Sequence, residues 1–213
     1  MATKKATEEK LIISIPGIDK KQLTVKLVGD SPLIVHRWSE KAKKEMLDKM
    51  MGVAKKGKAP KRPIQEFADA FYWLTEKPDF DGQSDGEIMK AVAAGRFGFP
   101  AVAFKASAVN AAYQQKSVDK KTTLRGAFHI DCELVEIEGT PDIDESPVKV
   151  QMTTDIRYRP IFREWSVTLP IVYNPNSITP EIIVNALNIA GFSNGVGEWR
   201  PEKNGIYGRF HVA

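Results

Sequence analysis

Residues that alternate between apolar and polar restrict most strongly what this chain can fold into. Within 22–28, apolar side chains occupy every second position (Leu23, Val25 and Leu27), and the same alternation recurs over 127–138. Because successive side chains of a strand point to opposite faces, a period of two places all the apolar residues on one face. Both segments are therefore predicted to be strands with one buried face.

Helical patterns separate the predicted strands. Over 180–190, apolar residues recur at helical spacing behind Pro180, which suits a first helical position. The predicted order is strand 22–28, helix 40–51 or 64–77, strand 127–138, strand 161–173, helix 180–190 and strand 206–212. This βαββαβ order is typical of the ferredoxin-like, RRM-like α+β fold, in which two helices cover one face of a four-stranded antiparallel sheet.

The predicted core accounts for only part of the chain, and the remaining residues are assigned to a tail and an insertion. Residues 1–10 are predicted to be a disordered tail, and 11–213 a single domain with a large helical insertion at about 52–123, after the first strand. Within the insertion, the apolar run Ala101–Phe104 is predicted to be extended. The acidic stretch after residue 138 contains two prolines and is predicted to be a loop.

Several classes of protein are excluded by composition. No apolar run approaches the roughly 18 residues of a membrane span, and the N-terminus has no apolar stretch typical of a signal peptide. The lone Cys132 excludes an intramolecular disulfide framework and a multi-cysteine zinc site. The three histidines are dispersed, so no metal or other cofactor is predicted. The expectation is a soluble, cytoplasmic protein.

Charge is distributed in opposed blocks, although the whole chain carries only +4. Residues 36–62 have a net charge of +7, whereas 66–89 have −6 and 131–145 have −7. Residues 116–125 and 149–163 are each +3. Such blocks suit a protein that binds a polyanion on one face and meets a partner or its own copy on another, unless the charges cluster by chance on solvated loops.

The most basic segment is residues 55–62, where Gly57 and Pro60 prevent regular structure. A basic loop of this kind binds phosphates independently of sequence, because it releases condensed counterions. The alternative is an ordinary solvated, lysine-rich loop. The residues predicted to act as a flexible clamp on nucleic acid are Lys55, Lys56, Lys58, Lys61 and Arg62.

A second set of candidates lies at alternate positions of the predicted strand that begins at Asp155. Strand periodicity places Arg157, Arg159, Arg163 and Trp165 on one face, provided that Pro160 does not shift the register. Guanidinium groups bind phosphates and an indole stacks on bases, so these residues are predicted to form a binding platform. The alternative is a solvent-exposed basic strand that pairs with the acidic residues of 131–145.

A third set surrounds a glycine-rich segment, residues 191–208, which has five glycines in eighteen residues. Glycines allow the close backbone approach that points amide N–H groups at a phosphate, and Arg200, Lys203 and Arg209 are predicted to flank this loop. The segment lacks the Gly-Lys-Ser/Thr of a nucleotide-binding P-loop. In the alternative interpretation, the glycines only end a helix, at Gly191, and shape a hairpin.

The element order, the insertion after the first strand and the glycine-rich turn before Tyr207-Gly208-Arg209-Phe210 resemble the RAMP superfamily, the ferredoxin-like RNA-binding proteins of CRISPR effector complexes. The resemblance covers the outer parts of the core and not the insertion, and a viral single-strand binder of the same fold would fit equally well. It implies a self-associating protein that binds a single-stranded nucleic acid backbone. It also implies two catalytic alternatives, His36 as a general base and Asp30 after the first strand.

The leading hypothesis is a non-catalytic, self-associating protein that binds single-stranded RNA or DNA through its phosphates, alone or with other subunits of a nucleoprotein complex. The second hypothesis is a metal-independent endoribonuclease that uses His36. The third is a viral structural or interaction protein that acts through the acidic segments 66–89 and 131–145. No membrane partner is expected under any of them.

Overall fold

The alternating segments of the sequence form strands of a large antiparallel sheet, as their period requires. A computed structural model describes residues 17–53, 60–150 and 153–213. The predicted tail, residues 1–10, lies outside the described residues. The chain has an α+β architecture with antiparallel sheets, which confirms the predicted α+β class, while the ferredoxin-like topology stays a prediction.

The described chain follows an irregular order of strands and helices. The strands are β1 Lys21–Gly29, β2 Leu33–Ile34, β3 Tyr72–Trp73, β4 Phe97–Pro100, β5 Phe128–Ile130, β6 Leu134–Glu138, β7 Pro141–Val150, β8 Thr153–Phe162, β9 Ser166–Tyr173 and β10 Phe210–Val212. The helices are α1 Glu40–Met50, α2 Pro63–Asp69, α3 Asp85–Ala94, α4 Ala101–Gln114, α5 Lys121–Ala127 and α6 Pro180–Ser193, with a short 3₁₀ helix at Pro201–Lys203. None of the helices in the described ranges is long and apolar enough to cross a membrane.

Within the described residues, the strands form two antiparallel sheets. The large sheet has the order β10-β1-β9-β6-β4-β3, and β5 also pairs with β9. The small sheet has the order β2-β8-β7, so β8 is its central strand. β1 leads into β2 and β8 leads into β9, which means that the same two stretches of chain contribute strands to both sheets.

The core lies between the sheets and two packed helices. α4 and α6 contact each other, α6 lies against β10, and α4 lies against β5. Aromatic side chains fill much of this core, and Phe71, Phe104, Phe128, Phe162 and Phe210 are all fully buried. Burial of one such side chain stabilises the folded state by about 1.5–3 kcal/mol.

Helix α1 corresponds closely to the predicted helix 40–51, but it does not serve as the helix that covers the sheet. Its apolar residues Met46, Leu47 and Met50 are 48%, 55% and 79% exposed. α4 packs against α6 instead, although its first residues, Ala101–Phe104, were expected to be extended. A short apolar run fits a strand and a buried helix equally well, and here the alanines that follow continue it as a helix.

Two other predicted boundaries are wrong for identifiable reasons. Gly191 does not end α6, which continues to Ser193. A Cβ atom at Gly191 would lie 1.8 Å from the carbonyl oxygen of Phe210, so glycine is required there by the close contact between α6 and β10. The acidic stretch predicted to be a loop forms β7, which pairs with β8 as a long hairpin.

Candidate nucleic-acid interface

The glycine-rich segment forms a loop between α6 and β10, here called the glycine loop, residues 194–209. Gly195, Gly197 and Gly208 have φ values of 64°, 81° and 66°, in the left-handed region that favours glycine. A Cβ atom at Gly197 would lie 2.7 Å from the carbonyl oxygen of Ile34. The absence of side chains therefore lets the glycine loop pack directly on β2, which places it beside His36.

A cleft of about 290 Å³ lies between the glycine loop and the first turns of α4, and it is here called the loop cleft. It is bordered by His36, two residues after β2, by the strands β3 and β4, by one face of α4, and by the glycine loop. Its lining residues are His36, Tyr72, Phe99, Pro100, Ala103, Ala106, Ser107, Asn110, Gly195, Val196, Gly197, Glu198, Arg200 and Glu202. Of the sequence-predicted residues, His36 and Arg200 thus come together.

His36 and Glu198 lie side by side in the loop cleft. The Nδ1 atom of His36 lies 3.5 Å from Oε1 of Glu198. The hydrogen bond from His36 holds the pKa of Glu198 below its ordinary value, although burial opposes this, and the charges of His36, Arg159 and Arg157 lower it further. Burial raises the pKa of Tyr72, on which Arg37 and Glu198 act in opposite directions. Positive and negative charges therefore both act on the side chains of the loop cleft.

Arg200 is the guanidinium group of the loop cleft, and it already has partners. Its Nε and Nη2 atoms donate to Oε2 of Glu202 at 2.9 and 2.7 Å, and its Nη1 atom donates to the carbonyl oxygen of Gly197 at 3.1 Å. Carboxylates thus balance cations in the lining itself. An anionic ligand has to compete with Glu202 for the guanidinium group.

The backbone of the glycine loop offers donors next to this guanidinium group. Among the described residues, none accepts a hydrogen bond from the N–H groups of Gly197 and Trp199, whereas the N–H groups of Val196 and Glu198 donate to the carbonyl oxygens of Gly208 and Ile34. Trp199 has a φ of 53°, which is a strained conformation for a non-glycine residue. Left-handed residues in a loop with open N–H groups are typical of backbone anion sites.

The predicted platform on the second set of candidates is wrong for two of its members, because these side chains are buried. Arg159 is 2% exposed, and its Nη2 atom donates to Oδ2 of Asp144 at 2.7 Å. Trp165 is 4% exposed, donates from Nε1 to the carbonyl oxygen of Ser31, and packs against Gly29 where the sheets meet. Neither side chain is available to stack on a base or contact a phosphate.

Of the other two members of that set, Arg157 lies on the same face of β8 as Arg159, whereas Arg163 does not belong to the strand. β8 ends at Phe162, so Arg163 lies beyond the strand, where it is exposed and pairs with Asp142 at 3.1 Å. Arg157 is half-buried on β8, close enough to Glu198 to affect its pKa. Both Arg159 and Arg163 pair with the acidic segment, as the alternative interpretation expects, but only Arg163 is also solvent-exposed.

The predicted clamp is only partly within the described residues. Lys55, Lys56 and Lys58 lie outside them. Lys61 forms an ion pair with Asp155 on β8, and Arg62 donates to the carbonyl oxygen of Gln83. These two contacts fasten the end of the basic segment to its own protein, so Lys61 and Arg62 contact an anion only if these bonds are exchanged.

The remaining predicted residues lie apart from the loop cleft. Lys203 is exposed in the 3₁₀ helix, and Arg209 lies beside the turn after β1, where its N–H group donates to Oγ of Ser31. Asp30 belongs to the same turn and its Oδ1 atom lies 2.6 Å from Nδ1 of His211. The two catalytic alternatives, His36 and Asp30, are therefore each paired with a different residue.

Sequence reasoning missed the residues that line the α4 side of the loop cleft. Ser107 is buried and donates to the carbonyl oxygen of Gly195, which joins α4 to the glycine loop. Asn110 follows one turn later on the same face of α4. Neither residue type is distinctive in sequence, and only the packing of α4 against α6 brings them to the glycine loop.

Comparisons with known proteins leave the chain without a family. No family model matches it, and no curated protein matches it. Among solved structures, the crystal structure of Cmr6 from Pyrococcus furiosus matches with 13% sequence identity and a TM-score of 0.34, over 92% of this chain and 100% of that chain. Similarity at this level allows a distant relation at most, so the resemblance to the RAMP superfamily stays a prediction.

Proposed function

We propose that the protein binds single-stranded nucleic acid through its phosphate backbone and that the loop cleft is the contact site. The observation that carries this proposal is the combination of the open N–H group of Gly197 with the guanidinium group of Arg200 in the lining of one cleft, next to the open N–H group of Trp199 in the same loop. Phosphate oxygens accept hydrogen bonds from both kinds of donor. A contact of this kind reads the backbone and carries no sequence information.

The ion pair of Arg200 with Glu202 predicts how affinity responds to substitution. Glu202→Gln removes the competing charge, so a phosphate gains Arg200 at lower cost and affinity rises. Arg200→Gln removes the contact, so affinity falls. The matched control is Glu76→Gln, which makes the same charge change at an exposed residue that does not line the loop cleft.

The test is a salt titration of oligonucleotide binding, measured by fluorescence anisotropy. Each phosphate contact to a single strand contributes about 0.7 to the slope of log K against log salt concentration, so six contacts give a slope near −4. Arg200→Gln is expected to make this negative slope shallower by about 0.7. No binding at low salt would refute the proposal, as would equal effects of Glu202→Gln and Glu76→Gln.

The proposal includes a ferredoxin-like core with a large insertion. The strand order β10-β1-β9-β6, with α4 and α6 packed together, supports it, because a βαββαβ chain gives this order when α4 and α6 are its two helices. The insertion then precedes α4 and ends near residue 100, rather than covering 52–123. A second insertion is the hairpin of β7 and β8.

Self-association is also part of the proposal, and the exposed apolar residues of α1 support it. Leu47 and Met50 are exposed, and when a second copy covers them their apolar surface is removed from water, which favours association. Light scattering of the wild type and of Leu47→Gln/Met50→Gln tests this. A wild type that remains monomeric with and without oligonucleotide would contradict it.

A second candidate function, a metal-independent endoribonuclease, is favoured by the pairing of His36 with Glu198 in the loop cleft. A carboxylate at Nδ1 orients an imidazole so that its other nitrogen can act as a general base. In that reaction, His36 takes the proton of a ribose 2′-hydroxyl, the 2′-oxygen attacks the phosphorus, and the bond to the 5′-oxygen breaks as that oxygen takes a proton from water, which gives a 2′,3′-cyclic phosphate. Cleavage of labelled RNA that is lost in His36→Ala would support it, and equal cleavage by both proteins would remove it.

A further inference from the structure

A cluster of cations at the end of α4 is not used by the loop cleft. It is here called the basic corner, and its residues are Lys116, Lys120, Lys121 and Arg125. Lys120 and Arg125 are exposed, and Lys116, also exposed, has a φ of 55° directly after α4. Among the described residues, no carboxylate lies within 4.0 Å of Lys116, Lys120 or Arg125.

The basic corner contrasts with the cations nearer the loop cleft, which are mostly neutralised. Arg159, Arg163 and Arg200 each form an ion pair with a carboxylate. A cation in an ion pair must break that pair before it contacts a phosphate, whereas a solvated, unpaired lysine exchanges only water and a loosely held counterion. The basic corner therefore binds an anion at lower cost than these paired arginines do.

One helix face connects the basic corner to the loop cleft. Ala103, Ser107 and Asn110 line the loop cleft, and residues three or four apart share one face of a helix. Tyr113 continues that face and is 45% exposed. From residue 103 to residue 113, the helix rises by about 15 Å at 1.5 Å per residue.

A hydrogen bond joins the two sites directly. The Nζ atom of Lys121 donates to Oδ1 of Asn110, a residue of the loop cleft, at 3.1 Å. The same Nζ atom lies 5.0 Å from the ring centroid of Tyr113. Arg125 lies one helical turn after Lys121 on α5, so both cations lie on the same side of that helix.

We propose that the basic corner is a second phosphate-binding site for the same strand that occupies the loop cleft, and that the strand passes along α4. This inference rests on the proposed function, and it identifies further residues of that interface: Lys116, Lys120, Lys121 and Arg125, with Tyr113 between the two sites. The ligand class is a phosphodiester chain long enough to reach both sites. A short oligonucleotide reaches only one of them.

The experiment compares two doubly substituted proteins that lose the same charge. Lys120→Gln/Arg125→Gln removes two cations of the basic corner. The control, Lys20→Gln/Lys90→Gln, removes two exposed cations elsewhere on the described surface. Salt titrations use oligonucleotides of about 4 and about 12 nucleotides, lengths within the range that single-strand-binding folds cover. Urea unfolding checks that both proteins retain the stability of the wild type.

With the longer oligonucleotide, the slope of the corner variant is expected to be shallower by about 1.4, because two contacts at about 0.7 each are lost. For the short oligonucleotide, the corner variant is expected to lose less slope than for the longer one, because a strand that the corner no longer holds can still bind Arg200 in the loop cleft. A wild type that binds neither oligonucleotide refutes the proposed function. A wild type that binds, with corner and control variants that have equal slopes, refutes only the inference about the basic corner.

A third measurement distinguishes a nucleic acid from an acidic protein partner. Polyglutamate carries the same sign of charge without phosphodiesters or bases. If the corner variant loses affinity for polyglutamate but keeps the wild-type slope for the longer oligonucleotide, the basic corner serves an acidic protein and the inference is overturned. Loss of the oligonucleotide contacts supports it.

Discussion

The ion pair between Arg159 and Asp144 gives the sharpest test of how this fold is stabilised. Arg159 lies on the central strand of the small sheet with 2% of its side chain exposed, and Asp144 lies opposite on β7 with 13% exposed. The Nε and Nη2 atoms of Arg159 donate to one oxygen of Asp144 at 3.1 and 2.7 Å. The perturbation is Asp144→Ala, which leaves the guanidinium group buried without its counter-charge.

The expected loss follows from the burial of that charge. An arginine does not give up its proton in a protein, so it cannot escape the cost by becoming neutral. Removal of one partner of a buried ion pair costs about 3–5 kcal/mol in the free energy of unfolding. For a chain of this length each kcal/mol shifts Tm by about 2–4 °C, so Asp144→Ala is expected to lower Tm by about 6 °C or more.

The same hairpin provides a matched control. Arg163 and Asp142 form an ion pair at 3.1 Å, but their side chains are 67% and 56% exposed. Asp142→Ala is therefore expected to cost far less than Asp144→Ala, because water screens an exposed pair. Urea unfolding followed by circular dichroism measures both variants. Equal losses from the two substitutions would refute the reasoning.

A further variant separates the buried charge from other effects of the substitution. In Arg159→Met/Asp144→Ala, neither charge remains, and an apolar side chain of similar length replaces the guanidinium stem. We expect most of the stability lost in Asp144→Ala to return, because a buried ion pair contributes little beyond its apolar replacement. A double variant less stable than Asp144→Ala would show that Arg159 stabilises the hairpin by contacts other than this pair.

Three other predictions concern the loop cleft and α1. Gly197→Ala is expected to destabilise the protein by about 1–3 kcal/mol, because its φ of 81° and the nearby carbonyl oxygen of Ile34 both exclude a side chain. Gly86→Ala, at an open position of α3, is expected to stabilise the protein by up to about 1 kcal/mol. Urea unfolding measures both variants, and free energies of unfolding that change in the same direction would contradict this reasoning. Because the pKa of Glu198 is lower in the folded than in the unfolded state, its contribution to stability is complete above the unfolded pKa of about 4.3 and is lost as pH falls through the folded pKa. In Glu198→Gln, the midpoint of urea unfolding is therefore expected to depend less on pH in this acidic range. A variant with the same pH dependence as the wild type would contradict this prediction. Leu47→Gln on α1 is expected to change stability by no more than about 0.5 kcal/mol because the side chain is 55% exposed, and a larger loss in thermal unfolding would show that α1 packs against the core.

Elements whose pattern comes from the chain itself could be predicted from sequence. β1 and α6 begin within one residue of their predicted positions, because alternation and a proline at the first helical position are local signals. β7 could not be predicted, because its prolines and carboxylates are typical of a loop. It forms a strand because it is the edge of the small sheet, where proline is tolerated, and because Asp142 and Asp144 meet arginines of the hairpin.

The candidate site could be predicted only on one side. Clustered glycines with Arg200 among them indicated the glycine loop, and the structure places this loop at a cleft. The opposite wall comes from α4, whose first turn was expected to be a strand. The sequence also suggested that Arg159 is a binding residue, since a charge pattern does not reveal which cations face a carboxylate in the interior.

The position of β1 has a consequence for how the chain acquires its structure during synthesis. β1 is an inner strand of the large sheet, and its partners are β9, at 166–173, and β10, at 210–212. All the residues up to β9 must therefore leave the ribosome before β1 gains its first neighbour, and one edge of β1 stays open until β10 appears. Such distant pairing makes folding slow and leaves an apolar strand exposed to other nascent chains. Deletion of β10 would leave β1 as a permanent edge, and an unprotected edge of this kind directs chains towards aggregation.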